Sequence, residues 1–383
     1  MYIKRLIPLR AALKTKSILL LGPRRTGKSA LIRNELQPDV YVNLLRSDEF
    51  LRYSQNPASI RQQLKGHEKF IVIDEIQKLP ILMDEVHDMI ESHNMRFLLT
   101  GSSARKLKRS HTSLMAGRAR RMRLHPFCSA ELGDDYDLQK AILRGTMPVS
   151  YLSTTDEESW QERLDYAGDY LKEEIMAEAF SRSIDAFARF LTTTAFTNSE
   201  VLNFEKIGSD AQVSPRTIRE YYAVLEDTLI GSVLEPWQPK KKNRKFVSKS
   251  KFYFFDIGMV NALVGRKTVS MESPEFGHLF ESLIFNEIQT YVHYKASDAK
   301  LNFWGTHQDT EVDFLINEDI AVEVKATANA SHRNIAGLQA LAEVKTLQKQ
   351  ILVTRDPVPR QIGDVQAMPW RHFLSALWAG EIF

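Results

Sequence analysis

The sequence holds a single cysteine, Cys128, in 383 residues. One thiol excludes an intrachain disulfide and any cysteine-built zinc module. No apolar run reaches the ~20 residues that a membrane-crossing helix needs. The first residues, Met1-Tyr2-Ile3-Lys4-Arg5, lack the long apolar stretch of a secretory leader. These absences lead us to expect a cytoplasmic chain with no membrane partner. Repeats and low-complexity tracts are also missing. The net charge is only +3, and 43% hydrophobic with 26% charged residues is ordinary for a globular chain, here long enough for two or three separate cores. What the sequence lacks locally is acid. Eight Lys/Arg (Arg105, Lys106, Lys108, Arg109, Arg118, Arg120, Arg121, Arg123) lie between Ser102 and Ala130 with no Asp or Glu. Seven more (Lys240, Lys241, Lys242, Arg244, Lys245, Lys249, Lys251) lie between Pro236 and Phe255, again without acid. Such segments suit a polyanion, and solvated loops have the same composition.

Against this background one motif stands out. Ser17-Ile18-Leu19-Leu20-Leu21 runs into Gly22-Pro23-Arg24-Arg25-Thr26-Gly27-Lys28-Ser29 and then Ala30-Leu31-Ile32-Arg33. This is strand, G-x-x-x-x-G-K-S loop and helix. The two glycines let the backbone wrap a phosphate with successive N–H groups pointing inward, and the helix N-terminus adds a favourable dipole. Residues 22–30 are therefore the expected nucleotide-binding stretch. Lys28 reaches the β- and γ-phosphates and Ser29 holds Mg²⁺.

A second run, Phe70-Ile71-Val72-Ile73-Asp74-Glu75, reads as a buried parallel strand ending in two carboxylates. Asp74 is expected to contact Mg²⁺ through water, and Glu75 to polarise the attacking water. A third strand, Phe97-Leu98-Leu99-Thr100, precedes Gly101-Ser102-Ser103. Thr100 and Ser102 are candidates to sense the γ-phosphate, and a plain loop-entry turn is the competing reading. Residues 16–21, 39–44, 70–74 and 96–100 are the expected strands of an α/β domain.

Residues 131–195 read as mostly helical, with Tyr166, Tyr170, Ile175 and Ala179 at helical spacing. Residues 203–211 form a short helix, Val213-Ser214 a turn, and Ser214 caps a second helix that starts at Pro215. Arg216, Thr217, Arg219 and Tyr222 would lie on its recognition face. Gly231-Ser232-Val233-Leu234 and the lysine-rich loop complete a winged-helix pattern, a fold that serves DNA or protein contact. Further on, Glu311-Val312-Asp313-Phe314-Leu315-Ile316 and Ala321-Val322-Glu323-Val324-Lys325 read as two strands joined by a turn at Asn317-Glu318-Asp319. The period of two puts Glu323 and Lys325 on one face, and the hairpin brings Asp313 beside them. Two carboxylates can hold Mg²⁺, and a lysine can position water and stabilise charge on a phosphate. The helical run Phe280–Glu287 offers Glu281 or Glu287 as a further carboxylate. An exposed charged hairpin face is the alternative.

The order of these motifs, with Ile73-Asp74-Glu75-Ile76-Gln77-Lys78, Leu99-Thr100-Gly101-Ser102-Ser103, Ala116-Gly117-Arg118-Ala119-Arg120, Leu124-His125-Pro126-Phe127 and Lys251-Phe252-Tyr253-Phe254-Phe255-Asp256-Ile257-Gly258, resembles the prokaryotic AAA-type P-loop ATPases that end in a domain of unknown function. The resemblance covers essentially the whole chain. It implies an α/β multidomain protein: a P-loop ATPase core over 1–130, a helical lid or connector over 131–195, a winged helix over 196–250 and a PD-(D/E)XK, restriction-endonuclease-like domain over 251–383. It implies ATP and Mg²⁺ as cofactors, with Lys28, Ser29, Asp74 and Glu75 in the roles given above. Glu281, Asp313, Glu323 and Lys325 would form the nuclease-like site, with Glu281, Asp313 and Glu323 as metal ligands. Val312 stands where the motif's name has proline. Arg118 or Arg120 would act as an arginine finger, in cis or from a neighbouring copy of a homo-oligomer. The expected function is an ATPase that controls a DNA-binding, metal-dependent nuclease-like domain, with DNA against the Lys240–Lys251 loop. The alternative is an ATP-switched DNA- or protein-binding factor with a catalytically silent nuclease fold.

Overall fold

The computed structural model describes residues 2–103, 117–178, 184–239, 246–295, 298–307 and 310–383, with side chains to residue 168 in the helix Asp156–Glu178. Of the sequence expectations, those on Arg105, Lys106, Lys108, Arg109, Lys240–Lys245, Ala179 and the side chains of Tyr170 and Ile175 lie outside the described residues. The chain divides into two compact units. The first comprises Met1–Phe127, Val224–Ile230 and His293–Lys295, and the second Cys128–Ala223, Gly231–Val292 and Ala296–Phe383.

In the first unit, strands β1 (Ser17–Leu21), β2 (Val40–Asn43), β3 (Phe70–Asp74), β4 (Arg96–Gly101) and β5 (Ala119–Arg123) form one sheet in the order β2-β3-β4-β1-β5. Every pairing is parallel. The continuous apolar runs of β1 and β3 follow from this, since a parallel strand is covered on both faces. β1 is buried throughout, and Leu19, Ile71, Ile73, Phe97 and Leu99 share one core with Val86 and Met89 of the helix Leu82–His93. β5 departs from the sequence reading. Arg120, Arg121 and Arg123, read there as part of a basic segment, lie on this edge strand.

The second unit opens with helices, among them Leu138–Arg144, Asp156–Glu178 and Ile184–Phe196. The expected helix-turn-helix is present as Phe204–Ala211 and Pro215–Asp227. Gln212 takes a left-handed conformation at the turn, and the Thr217 N–H donates to Ser214 Oγ at 3.2 Å, the expected cap. Tyr222 does not serve a recognition face. It is buried, packing edge-on against Phe190 and Phe252. β6 (Gly231–Leu234) and β7 (Lys251–Phe254) pair antiparallel. The Trp237 N–H donates to the Phe303 carbonyl and the Val247 N–H to the Gly305 carbonyl, at the edge of the last sheet.

That last sheet contains β8 (Leu301–Gly305), β9 (Glu311–Ile316), β10 (Ile320–Val324), β11 (Lys349–Thr354), β12 (Arg360–Ile362) and β13 (Val365–Pro369), in the order β12-β13-β11-β10-β9-β8. β9 and β10 form the expected antiparallel hairpin. Asn317 and Glu318 both have positive φ at its tip, as the central residues of a tight turn closed by the Asp319 N–H on the Ile316 carbonyl. β10 and β11 are parallel, and the helix Ala336–Val344 makes the crossover between them.

Candidate functional site

The first constellation lies at the carboxyl ends of β1, β3 and β4. Gly22 follows β1 so closely beside the next strand's end that an added Cβ would lie 2.6 Å from the Leu124 carbonyl oxygen. Gly27 has φ +95°, a left-handed conformation that glycine adopts without a steric cost, and leads into the helix Lys28–Glu35. The Lys28 ammonium is buried and donates back to the carbonyls of Gly22 (2.7 Å) and Pro23 (3.0 Å), so its charge is held at the loop. Thr26 Oγ also donates to the Pro23 carbonyl, at 2.8 Å.

Asp74 ends β3 and is buried. Ser29 Oγ donates to Asp74 Oδ2 at 3.0 Å, which places the two oxygen groups expected at a magnesium ion side by side. Thr100 Oγ donates to Asp74 Oδ1 and accepts the Glu75 N–H at 3.1 Å. Glu75 sits at positive φ although it is not glycine, a costly conformation that concentrates at functional sites. Its carboxylate accepts from Gln77 Nε2, which also donates to Ser102 Oγ at 3.1 Å.

Three residues here escaped the sequence reading. Gln77 anchors Glu75. The Tyr41 hydroxyl donates to Asp74 Oδ2 at 2.7 Å, and burial together with this bond to a carboxylate raises the pKa of the phenol. Arg5 is buried, and its guanidinium donates to the Thr26 carbonyl at 2.9 Å and to the His125 and Pro126 carbonyls at 2.6 and 3.1 Å. It ties the phosphate loop to the turn after β5 across more than a hundred residues of sequence, a link that no local pattern reveals. The structure also corrects the role of Arg118 within its own chain. The β1–β5 register pairs Ser17 with Ala119 and Leu21 with Arg123. Arg118 is therefore at the opposite end of β1 from the loop, ~16 Å away at ~3.3 Å per residue. Its guanidinium pairs with Glu91.

The second constellation is in the C-terminal sheet. Asp313 on β9 and Glu323 on β10 are both buried, and the Val324 N–H donates to Asp313 Oδ2 at 2.8 Å. Lys325 Nζ meets Glu323 Oε1 at 2.5 Å. Burial, then the neighbouring Glu281, raise the Asp313 carboxyl to about 6, against the pull of Lys251 and Lys325. Glu323 is raised well above the usual carboxylate range by burial and by Asp313. Its Oε2 is buried and has no hydrogen-bond partner among the described residues. Glu311, Glu323 and Lys325 border a cavity of about 730 Å³, together with Lys249 and Arg333.

At the centre of this cluster is a residue that the sequence reading placed elsewhere. Lys251 was counted in the basic loop facing DNA. It is in fact buried, with Nζ 2.7 Å from Glu311 Oε1, 3.1 Å from Glu281 Oε1 and 3.8 Å from Asp313 Oδ1. Burial works against its charge, but Glu281, Asp313 and Glu311 outweigh it and raise its pKa. The Tyr253 hydroxyl, two residues on, donates to Glu281 Oε1 at 2.6 Å. The expected set of Glu281, Asp313, Glu323 and Lys325 does converge, and Glu311 and Lys251 join it. Glu287 does not. It accepts from the Ser129 N–H (2.6 Å), Ser129 Oγ (3.0 Å) and Trp378 Nε1 (2.8 Å), nearly two turns further along the helix Pro274–Lys295 and on another face. Among the described residues, no group of three or more His, Cys, Asp or Glu is arranged to hold a metal ion.

Three family models match successive parts of the chain: an AAA domain over residues 14–133, and two domains of unknown function over 135–270 and 276–373. The first match supports an AAA-type, nucleotide-binding ATPase in the part of the chain that holds Lys28, Ser29, Asp74 and Glu75. No curated protein matches the chain. Among solved structures, a replication initiator DnaA bound to AMPPCP and single-stranded DNA is similar at 13% identity and a TM-score of 0.30, covering 57% of this chain and 86% of that one. Among the described residues no helix is long and apolar enough to cross a membrane.

Proposed function

We propose that this chain hydrolyses ATP with Mg²⁺ at the end of its first sheet, and that the nucleotide cycle controls a DNA-binding C-terminal half. In that half the helix-turn-helix and β6–β7 act as a winged helix, and the last sheet is a PD-(D/E)XK-like, metal-dependent nuclease-like domain. The observation that carries this reading is the convergence of Lys28, Ser29, Asp74 and Glu75 on neighbouring strand ends, joined by Thr100. The loop N–H groups and Lys28 hold the phosphates, and Ser29 and Asp74 hold the metal. Bound Mg²⁺ supplies charge stabilisation at the phosphate oxygens. Glu75, anchored by Gln77, orients the attacking water and takes up its proton. Exposed Arg216 and Arg219 on the second helix of the helix-turn-helix support DNA contact.

Phosphate release and nucleotide binding test the first half of the reading. Lys28→Ala is expected to lose both. Glu75→Gln is expected to keep binding and lose ~10²–10⁴-fold in kcat. A wild-type protein that releases no phosphate from ATP overturns the ATPase reading. DNA affinity that ignores both ATP and the Arg216→Ala/Arg219→Ala pair overturns the second half.

One observation favours a second reading of the C-terminal sheet, as a catalytically silent nuclease fold: the Lys251 ammonium lies among its carboxylates. Incubation of duplex and single-stranded DNA with Mg²⁺ or Mn²⁺, beside Glu323→Ala, separates the two. Cleavage that disappears in the variant assigns a nuclease reaction to this sheet, and an absence of cleavage favours the silent fold.

A further inference from the structure

We propose that Lys251 is a built-in cation that takes the place of a divalent metal, so that the carboxylate cluster of the C-terminal sheet is a metal-free ionic centre. The inference deepens the silent-fold reading by giving it a cause.

The argument begins with geometry. Magnesium or manganese needs several oxygens converging at ~2.0–2.6 Å from one point. The oxygens that face each other here converge on the Lys251 nitrogen. It draws on Glu311 from the start of β9, Glu281 from the helix Pro274–Lys295, and Asp313 two residues along β9. Further donors occupy one of these oxygens, the second oxygen of Asp313 and the neighbouring Glu323. Glu281 Oε1 also accepts the Tyr253 hydroxyl, Asp313 Oδ2 accepts the Val324 N–H, and Glu323 Oε1 is taken by Lys325.

Charge points the same way. Lys251 is only 2% exposed, so its ammonium has no solvent to retreat into when a second cation arrives. Two cations on shared oxygens in a poorly screened interior repel strongly. Removing the lysine instead would leave three carboxylates with a missing counter-charge, and that is an arrangement a divalent ion stabilises. Glu323 Oε2 is a buried oxygen with no hydrogen-bond partner among the described residues. The residue borders the cavity, where Glu311, Lys249, Lys325 and Arg333 also stand. The centre thus presents cations and two carboxyl groups, Glu311 and Glu323, to the cavity, with its own positive charge already inside.

The test counts bound Mn²⁺ by electron paramagnetic resonance on the full chain without nucleotide, in an Asp74→Asn background that silences the first unit's metal site. The expected result is the same Mn²⁺ binding with and without Asp313→Asn. Adding Lys251→Met is expected to create a site for about one Mn²⁺ per chain, lost again with Asp313→Asn. Mn²⁺ bound by the Asp74→Asn protein and released by Asp313→Asn overturns the proposal, whether or not the Lys251 variant folds. A folded Lys251→Met protein that gains no Mn²⁺ overturns it too. The outcomes separate this proposal from the silent-fold reading. Mn²⁺ held at Asp313 without DNA cleavage sinks only the former, and cleavage without such a metal sinks only the latter.

Discussion

Glu287 shows how neighbours set the charge of a single residue. Burial raises its carboxyl from 4.5 to about 7, opposed by the donors Trp378 and Ser129. A carboxyl whose folded pKa lies above its unfolded one stabilises the fold fully at low pH. Here that contribution is whole below pH 4.5 and is lost as the pH rises through about 7. The loss amounts to about 3 kcal/mol at most. Urea unfolding across this range should show stability falling with pH, and Glu287→Gln should flatten the slope. An unchanged slope in the variant would assign the dependence to other groups. The sequence marked Glu287 only as one of two acids on a helix. Its separation from Glu281 depends on Ser129 and Trp378, residues far away in the chain.

At the scale of elements, the β9–β10 hairpin was legible because its determinants are local: alternating apolar residues and a turn at Asn317-Glu318. The strands β1, β3 and β4 were legible for a similar reason, since burial on both faces demands apolar runs, while β2, at the sheet's other edge, is only partly buried and keeps a short apolar run, Val40-Tyr41-Val42. β5 was not. Its residues Ala119–Arg123 include three arginines. An edge strand leaves side chains in solvent, while pairing with β1 satisfies its backbone whatever those side chains are. A close approach in the last sheet was equally hidden. A Cβ on Gly337, in the first turn of the crossover helix Ala336–Val344, would lie 2.0 Å from the Glu311 backbone oxygen. Backbone cannot rotate away as a side chain can. Gly337→Ala is therefore expected to cost about 1–3 kcal/mol by thermal or urea unfolding and to displace Glu311 from Lys251. A variant as stable as the parent would contradict that packing.

For the whole molecule, the proposed division between ATP hydrolysis and DNA binding predicts how conditions act. Binding of DNA through arginine and lysine should weaken at least ~10-fold between about 50 and 200 mM salt, because condensed counterions are released. ATP hydrolysis in the first unit, where the site is built from a buried lysine and carboxylates, should change much less over the same range. Parallel titrations of both activities check this, and a DNA affinity indifferent to salt would remove the electrostatic basis of the DNA reading.

The sequence by itself determined whatever depends on contiguous residues. The spacing from Gly22 to Ser29 fixes a phosphate loop, Phe70–Glu75 a buried strand ending in carboxylates, and Ser214-Pro215 the start of a helix. Short-range geometry and burial suffice for each. Only the tertiary structure decided which charges meet. Lys251 is 30 residues from Glu281 and 60 from Glu311, and in the sequence it closes a run of cations that suggests solvent and DNA. Its burial among carboxylates comes from the pairing of β7 with β6 and from the turn of the helix that carries Glu281. A buried ammonium is stable only where several distant chain segments bring compensating charge to one point.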